Sequence, residues 1–271
     1  MGFYVAARRV RGISHRKSHT PCQDAAQVAR NRGGLAGSAP GSMEDELVFG
    51  AVADGGGSRS LSQIGARLAV SLAVSSMRSA WNATSLHRAS EPDLDSYWQA
   101  LYLDCRRALE LEAMARLQGS KGRPPTAGDF ACTLILFMGT RKRLAAAQVG
   151  DGFLVLGRQS LDDEVGEPDI DFRLVFQNRE FEEAGQVVWL TANDWAEDLR
   201  TTVLDCQVDF LLASSDGMEK AVLEPAADGA LALQPGRGYF RQLRSGCRQT
   251  VAESLRTESV QSALEGYLDA V

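Results

Sequence analysis

Four aspartates, each at the end of an apolar run, carry the chemistry open to this sequence. Asp54 follows residues 47–53 (LVFGAVA) and leads into Gly55-Gly56-Gly57-Ser58. Asp151 lies in Gly150-Asp151-Gly152 after residues 144–149, and Asp216 in Ser215-Asp216-Gly217 after residues 208–213. Asp24, in Pro21-Cys22-Gln23-Asp24-Ala25, heads a short apolar segment. Apolar runs of this length read as core strands, so each carboxylate stands where the backbone meets the rim of a sheet. The glycines let another group come close to the main chain. A carboxylate beside exposed backbone carbonyls suits Mg²⁺ or Mn²⁺, which prefer oxygen ligands. Taken singly, each Asp-Gly pair reads as a tight turn. Its recurrence after equally apolar runs favours a shared site.

Strand-end carboxylates from separate strands can meet at one edge of a sandwich, where they repel unless cations neutralise them. Two divalent ions roughly 3.5–4 Å apart hold a bridging water, lower its pKa and brace an in-line phosphoryl displacement. Asp54 is the natural bridge, with Gly55 adding a carbonyl. No nucleophilic side chain is then required. This fits a chain whose only histidines are His15, His19 and His87 and which shows no Ser-His-Asp or Cys-Arg arrangement.

The positioning elements follow from pattern. Residues 3–13 read as a half-exposed strand, and Arg8, Arg9, Arg11, Arg16 and Lys17 as its solvated face or as a positive rim for phosphate. Residues 31–46 read as a glycine-rich loop. Ile64, Leu68 and Leu72 mark a helix capped by Ser60 or Ser62, and Leu94, Trp98, Leu101, Cys105 and Ala108 a second helix over 93–117. Residues 130–137 and 144–149 form a hairpin about the basic turn 140–143, and residues 153–156 re-enter a strand, placing Asp151 at a hairpin tip. The acidic residues 158–185 enclose one strand at 172–176. Strands follow at 187–190 and 208–213, with a turn or helix start at 193–195. A packing helix begins near Gln249.

The formal net charge of −6 opposes general nucleic-acid binding. No apolar run is long enough to span a bilayer, and the first residues lack a signal-peptide core. Cys22, Cys105, Cys132, Cys206 and Cys247 show neither zinc spacing nor a disulfide framework. They read as reduced thiols, which predicts a cytoplasmic protein.

The ordered set PCQDA (21–25), VADGGGS (52–58) with IGARLAV (64–70), FACTLIL (130–136), QVGDG (148–152) and LLASSDGMEK (211–220) resembles the metal-dependent type 2C protein phosphatases. The bacterial branch with a PCQDA-like first motif is the most similar, and WLTANDW (189–195) also looks like that branch. The resemblance implies an α+β fold: a four-layer α-β-β-α sandwich of two antiparallel sheets flanked by helices, over residues 1–271. It implies hydrolysis of phosphoserine or phosphothreonine by a metal-activated water. It implies that Asp54 and Asp216 are the catalytic ligands, Asp54 bridging two Mn²⁺ or Mg²⁺ ions with help from the Gly55 carbonyl and Asp216 completing the first. It further implies that Asp24 serves the second ion directly or through water, and that Asp151 with Asp216 matches a weaker third position. The implied partner is a phosphorylated protein, set against a serine/threonine kinase, with no nucleic acid and no membrane.

Three departures from the family pattern stand out. Gln23 occupies a frequent glutamate position. His19 stands where simple counting puts a phosphate-binding arginine, leaving His15, Arg16 and His19 as candidates. No final strand with its acidic motif follows Leu268-Asp269-Ala270-Val271, and Asp269 is a poor substitute. The alternative is therefore a catalytically weak or inactive module that binds phosphoproteins.

Overall fold

The run before Asp54 forms a central strand. β1 (Ala25–Arg32), β2 (Glu46–Ala53), β3 (Leu134–Gly139), β4 (Leu144–Val149) and β7 (Arg200–Leu204) make a five-stranded antiparallel sheet in the order β1-β2-β3-β4-β7. β5 (Phe153–Gln159), β6 (Ile170–Leu174) and β8 (Phe210–Ser214) form a second antiparallel sheet in the order β6-β5-β8. The computed structural model describes residues 3–9, 17, 21–32, 46–117, 123–159, 170–177, 187–225, 233–254 and 260–270.

Strand alternation sorts the apolar side chains into three layers. Leu47, Phe49, Ala51 and Ala53 of β2 face outward with Leu134, Leu136 and Met138 of β3. They meet α1 (Ser62–Ala80) and α3 (Glu91–Leu117); the short α2 (Ala83–Arg88) lies between these helices in sequence. Val48, Ile135, Phe137, Leu144 and Ala146 face inward against Leu154 and Leu156 of β5. On its other face the second sheet packs Phe153, Val155, Phe172 and Leu174 against Val222 of α5 (Glu219–Val222) and Phe240 of α6 (Arg237–Ser254). The layers are thus helices, sheet, sheet, helix, as the resemblance implies. α7 (Val260–Ala270) packs on α6, and the hairpin of β9 (Leu223–Pro225) and β10 (Leu233–Pro235) flanks the third layer. Burying each such Leu or Phe is worth about 1.5–3 kcal/mol, so the rims are set by a rigid double core.

Several expected elements differ. Residues 3–9 form no strand: the Phe3 N–H donates to Glu46 Oε2 (2.6 Å) and Arg30 Nη1 donates to the Phe3 carbonyl (2.8 Å). Side chains, not a neighbouring ladder, satisfy the Phe3 backbone. The strand expected from residue 130 starts at Leu134. A Thr126–Asp129 capping box winds Ala127–Phe130 into a 3₁₀ turn instead. Residues 187–190 make no ladder, and the Leu190 N–H donates to the Cys132 carbonyl (2.8 Å). Neither Ser60 nor Ser62 caps α1. Its N-cap is Leu61, and Ser62 Oγ donates to the Arg59 carbonyl.

The buried stripe of α1 is Gly65, Ala66, Ala69, Val70, Ala73, Val74 and Met77, with Ile64, Leu68 and Leu72 at its margins. Small residues let the helix axis approach the sheet; a Cβ on Gly65 would stand 2.0 Å from the Phe130 carbonyl oxygen. In α3, Leu109 rather than Ala108 is buried. The last helix of the expectation is two, α6 starting at Arg237 and α7 at Val260. The polar composition of residues 237–248 hides Phe240 and Leu243 from a pattern search. Of the loop expected over 31–46, Asn31 and Arg32 instead end β1 and Glu46 begins β2; residues 33–45 and most of the acidic excursion lie outside the described residues.

Candidate functional site

Strand register places the four aspartates. Ala25 pairs with Ala53, so one step further Asp24 lies opposite Asp54. Val52 pairs with Ile135, and two steps further Asp54 faces Thr133. Leu134 pairs with Val149, which puts Thr133 opposite Gly150. In the second sheet Phe153 pairs with Ser214, so Asp151 falls opposite Asp216. One end of the sandwich thus gathers carboxylates from both sheets.

The side chains meet there. The Asp54 carboxyl lies beside those of Asp24 and Asp216, near enough for both to act on its protonation. Burial first, then Asp24 and Asp216, push its pKa up to about 9. Burial, followed by the charge of Asp216, pushes Asp151 up to about 6. Asp24, Asp54 and Asp151 are half-buried, whereas Asp216 is exposed.

Backbone contacts fix the Asp54 loop. The Asp54 N–H donates to Thr133 Oγ1 (3.0 Å), and the Thr133 N–H to the Asp54 carbonyl (2.8 Å). Gly55 bridges to Cys132, and the Gly56 N–H donates to the Ala131 carbonyl (2.9 Å). A Cβ at Gly55 would stand 2.8 Å from the Gln23 carbonyl oxygen, so glycine lets the segment before Asp24 close on the loop.

Asp151 does not sit at a hairpin tip. It lies on the crossover from β4 in one sheet to β5 in the other. Gly150 turns the chain with φ +94°, a left-handed conformation that disfavours a side chain. Its N–H donates to Asp198 Oδ2 (2.8 Å), at the end of α4 (Trp195–Asp198), and its carbonyl accepts from Arg200 Nη2 (3.0 Å) and Gln148 Nε2 (3.1 Å). Gln148 Nε2 also donates to the Gly152 carbonyl. Asp198 is 3% exposed, so its loss leaves a buried N–H without an acceptor. Asp198→Ala is expected to cost about 1–3 kcal/mol in urea denaturation, and Asp198→Asn, which keeps a carbonyl oxygen, to recover most of it.

The donor set fits a hard divalent cation. All the converging groups are oxygens, and acids that must share protons when metal-free are the kind a 2+ ion stabilises. Among the described residues no three acidic, histidine or cysteine side chains stand in a finished metal shell. Gln23 is buried, donating through Nε2 to Ser62 Oγ (2.8 Å) and the Gly56 carbonyl (3.3 Å), while its Oε1 has no protein partner.

A family model, Protein phosphatase 2C, matches residues 11–269. The chain belongs to the protein phosphatase 2C family. Members of this family are serine/threonine phosphatases. Among solved structures, the chain is similar to serine/threonine phosphatase Stp1 from Staphylococcus aureus (12% identity over 74% of this chain and 72% of that one, TM-score 0.45). It is also similar to the catalytic domain of the serine threonine protein phosphatase PstP, in complex with two manganese ions (15%, 91% and 90%, 0.43). Serine-threonine phosphatase 2C from Toxoplasma gondii is a third (11%, 88% and 86%, 0.44). At these scores the structural likenesses carry no argument of their own, and the family match makes the assignment. No curated protein matches the chain in sequence.

In this phosphatase 2C chain the phosphate-binding candidates His15, Arg16 and His19 lie outside the described residues, as does the Asp269 side chain. Burial pushes the Cys105 thiol up to about 12 and raises Cys132 as well, so neither of these two buried thiols is a ready nucleophile. All five cysteines are unpaired. Among the described residues no helix is long and apolar enough to cross a membrane. Sequence reasoning missed Gln148, Asp198 and Arg200 as braces. Gln148 and Thr133, polar residues inside otherwise apolar runs, were the signal available; Asp198 gave none.

Proposed function

We propose that this chain hydrolyses phosphoserine or phosphothreonine in proteins, using two Mn²⁺ or Mg²⁺ ions at the carboxylate rim. The observation that carries the reading is the meeting of Asp54 with Asp24 and Asp216, joined electrostatically by Asp151, from two different sheets. In this reading Asp54 and the Gly55 carbonyl would hold both ions, Asp216 would help hold the first and Asp24 the second, and Asp151 with Asp216 would offer a weaker third position. When bound, the ions would supply an activated water and neutralise charge on the transferring phosphoryl group.

The chain's own residues do the rest. Asp54 must release its proton to serve as a bridge. Thr133 holds the Asp54 backbone while the Asp198 and Arg200 brackets on Gly150 hold Asp151, so the carboxylates keep their spacing when the proton leaves. Gly55, Gly56 and Gly57 keep the approach narrow-walled but free of side chains. Unpaired cysteines support a reducing, cytoplasmic setting, and the natural counterpart of such an activity is a serine/threonine kinase.

Hydrolysis of p-nitrophenyl phosphate and of a phosphothreonine peptide is expected to require Mn²⁺ or Mg²⁺ and to be abolished by EDTA. Mn²⁺ is expected to raise the melting temperature. No EDTA-sensitive turnover together with no Mn²⁺-induced shift would remove the enzyme reading and favour a non-catalytic phosphoprotein-binding module.

A further inference from the structure

Two clefts lie along the loop that follows Asp54. The first, of about 250 Å³, lies between Pro21 and Gln23 on one side and residues 57–63 on the other. Its lining thus includes Gln23, the residue before Asp24 in the chain. Among the described residues Arg59 is the only charged side chain lining it, and it makes no ion pair there. The arginine stem lies over the loop: a Cβ on Gly56 would be 3.0 Å from Arg59 Cγ.

Ser60 forms a wall of both clefts. Beyond it the second, of about 530 Å³, carries Arg116 and Arg123 over an apolar floor that includes Leu61 and Pro125. Arg116 Nε donates to Glu112 Oε1 (2.7 Å) and Arg123 Nη2 to Asp129 Oδ1 (2.6 Å). Asp129 is largely satisfied from within, because Thr126 donates to its other oxygen through both N–H (2.8 Å) and Oγ1 (3.0 Å). The two arginine side chains remain 42% and 72% exposed, and a guanidinium has five N–H donors. A chain of net charge −6 repels an acidic partner at long range, so guanidinium groups beside the site have a steering role to fill.

We propose that the two clefts form the docking track for the substrate segment flanking the phosphoresidue, and that Arg59, with Arg123 further out, selects acidic side chains there. This rests on the phosphatase reading of the rim. The occupant is an extended acidic peptide: its phosphoryl group lies at the aspartates and its carboxylates pair with the guanidinium groups through charge-assisted hydrogen bonds.

The test is a set of phosphothreonine peptides with Asp, Ala or Lys at each position from two before to two after the phosphoresidue. Wild type is expected to favour Asp over Lys about five- to tenfold in kcat/KM at one or more positions, and the ratio should shrink with added salt. Arg59→Ala should bring that ratio near one, and Arg59→Glu should invert it, with circular dichroism confirming the fold. A ratio unchanged in Arg59→Glu, or no acidic preference in wild type, overturns the proposal. Hydrolysis-resistant phosphonate versions of the same peptides, followed by fluorescence anisotropy, read the same ratio without turnover. An inactive chain that still shows the Arg59-dependent preference would therefore sink the enzyme reading and leave the track standing.

Discussion

Asp54→Asn is expected to lower Mn²⁺-dependent hydrolysis of p-nitrophenyl phosphate by at least about 10³-fold while making the metal-free protein more stable. Both effects come from the same crowding. Burial, Asp24 and Asp216 hold the Asp54 pKa at about 9, against 3.8 for an ordinary aspartate. The folded state therefore binds a proton that the unfolded chain releases near pH 4. That contribution to stability is fully present below pH 4 and is lost as pH climbs towards 9. The metal-free wild type should melt at lower temperature at pH 8.5 than at pH 6.5. Asparagine can make the hydrogen bonds of a protonated carboxyl without ever ionising, so the variant should lose this slope. It should melt higher at pH 8.5, by about 2–4 °C for each kcal/mol of relieved repulsion. A bridging ion must displace the same proton, so the Mn²⁺-induced rise in melting temperature should grow with pH in wild type. In Asp54→Asn it should vanish. Full activity of the variant would refute the bridging role, and a lower metal-free melting temperature would refute the repulsion.

Gly150→Ala is expected to cost about 2–5 kcal/mol in urea denaturation, combining the left-handed backbone with overpacking. Gly150 has φ +94°, and a Cβ there would lie 2.4 Å from Thr133 Cγ2 and 2.7 Å from Thr133 Cβ. Thr133 cannot move freely, because its Oγ1 accepts from the Asp54 N–H. Relief by shifting either residue displaces Asp151 or Asp54, so Mn²⁺ affinity should fall with stability. Gly128→Ala is the control: its Cβ would meet Thr126 Oγ1 at 3.7 Å, ordinary contact, and a change within about 0.5 kcal/mol is expected. Equal melting of the two variants would show that the crossover does not need its left-handed turn.

Asp54, Asp151 and Asp216 of the candidate site were readable because an apolar run ending in Asp-Gly is a local signature; Asp24, followed by Ala25, lacks it. The run before Asp54 is a strand as expected, and the residues around Asp24, Asp151 and Asp216 stand where strands begin or end. The expected hairpin at Asp151 failed for a reason local sequence cannot carry. A turn of two glycines looks alike whether the next strand pairs with the last one or crosses to a facing sheet. The strand expected from residue 130 failed because the Thr126–Asp129 box competes locally for the same backbone.

By itself the sequence determined which groups are available for chemistry, the apolar strands that carry them and the family, since these depend on residue type and short-range order. Only the tertiary structure decided that Asp24 faces Asp54, that Asp151 faces Asp216, and that Asp198 and Arg200 bracket Gly150. Those relations depend on strand register and on the packing of one sheet over another. Such pairings join residues far apart in the chain, and their free energy comes from burial that no local window contains.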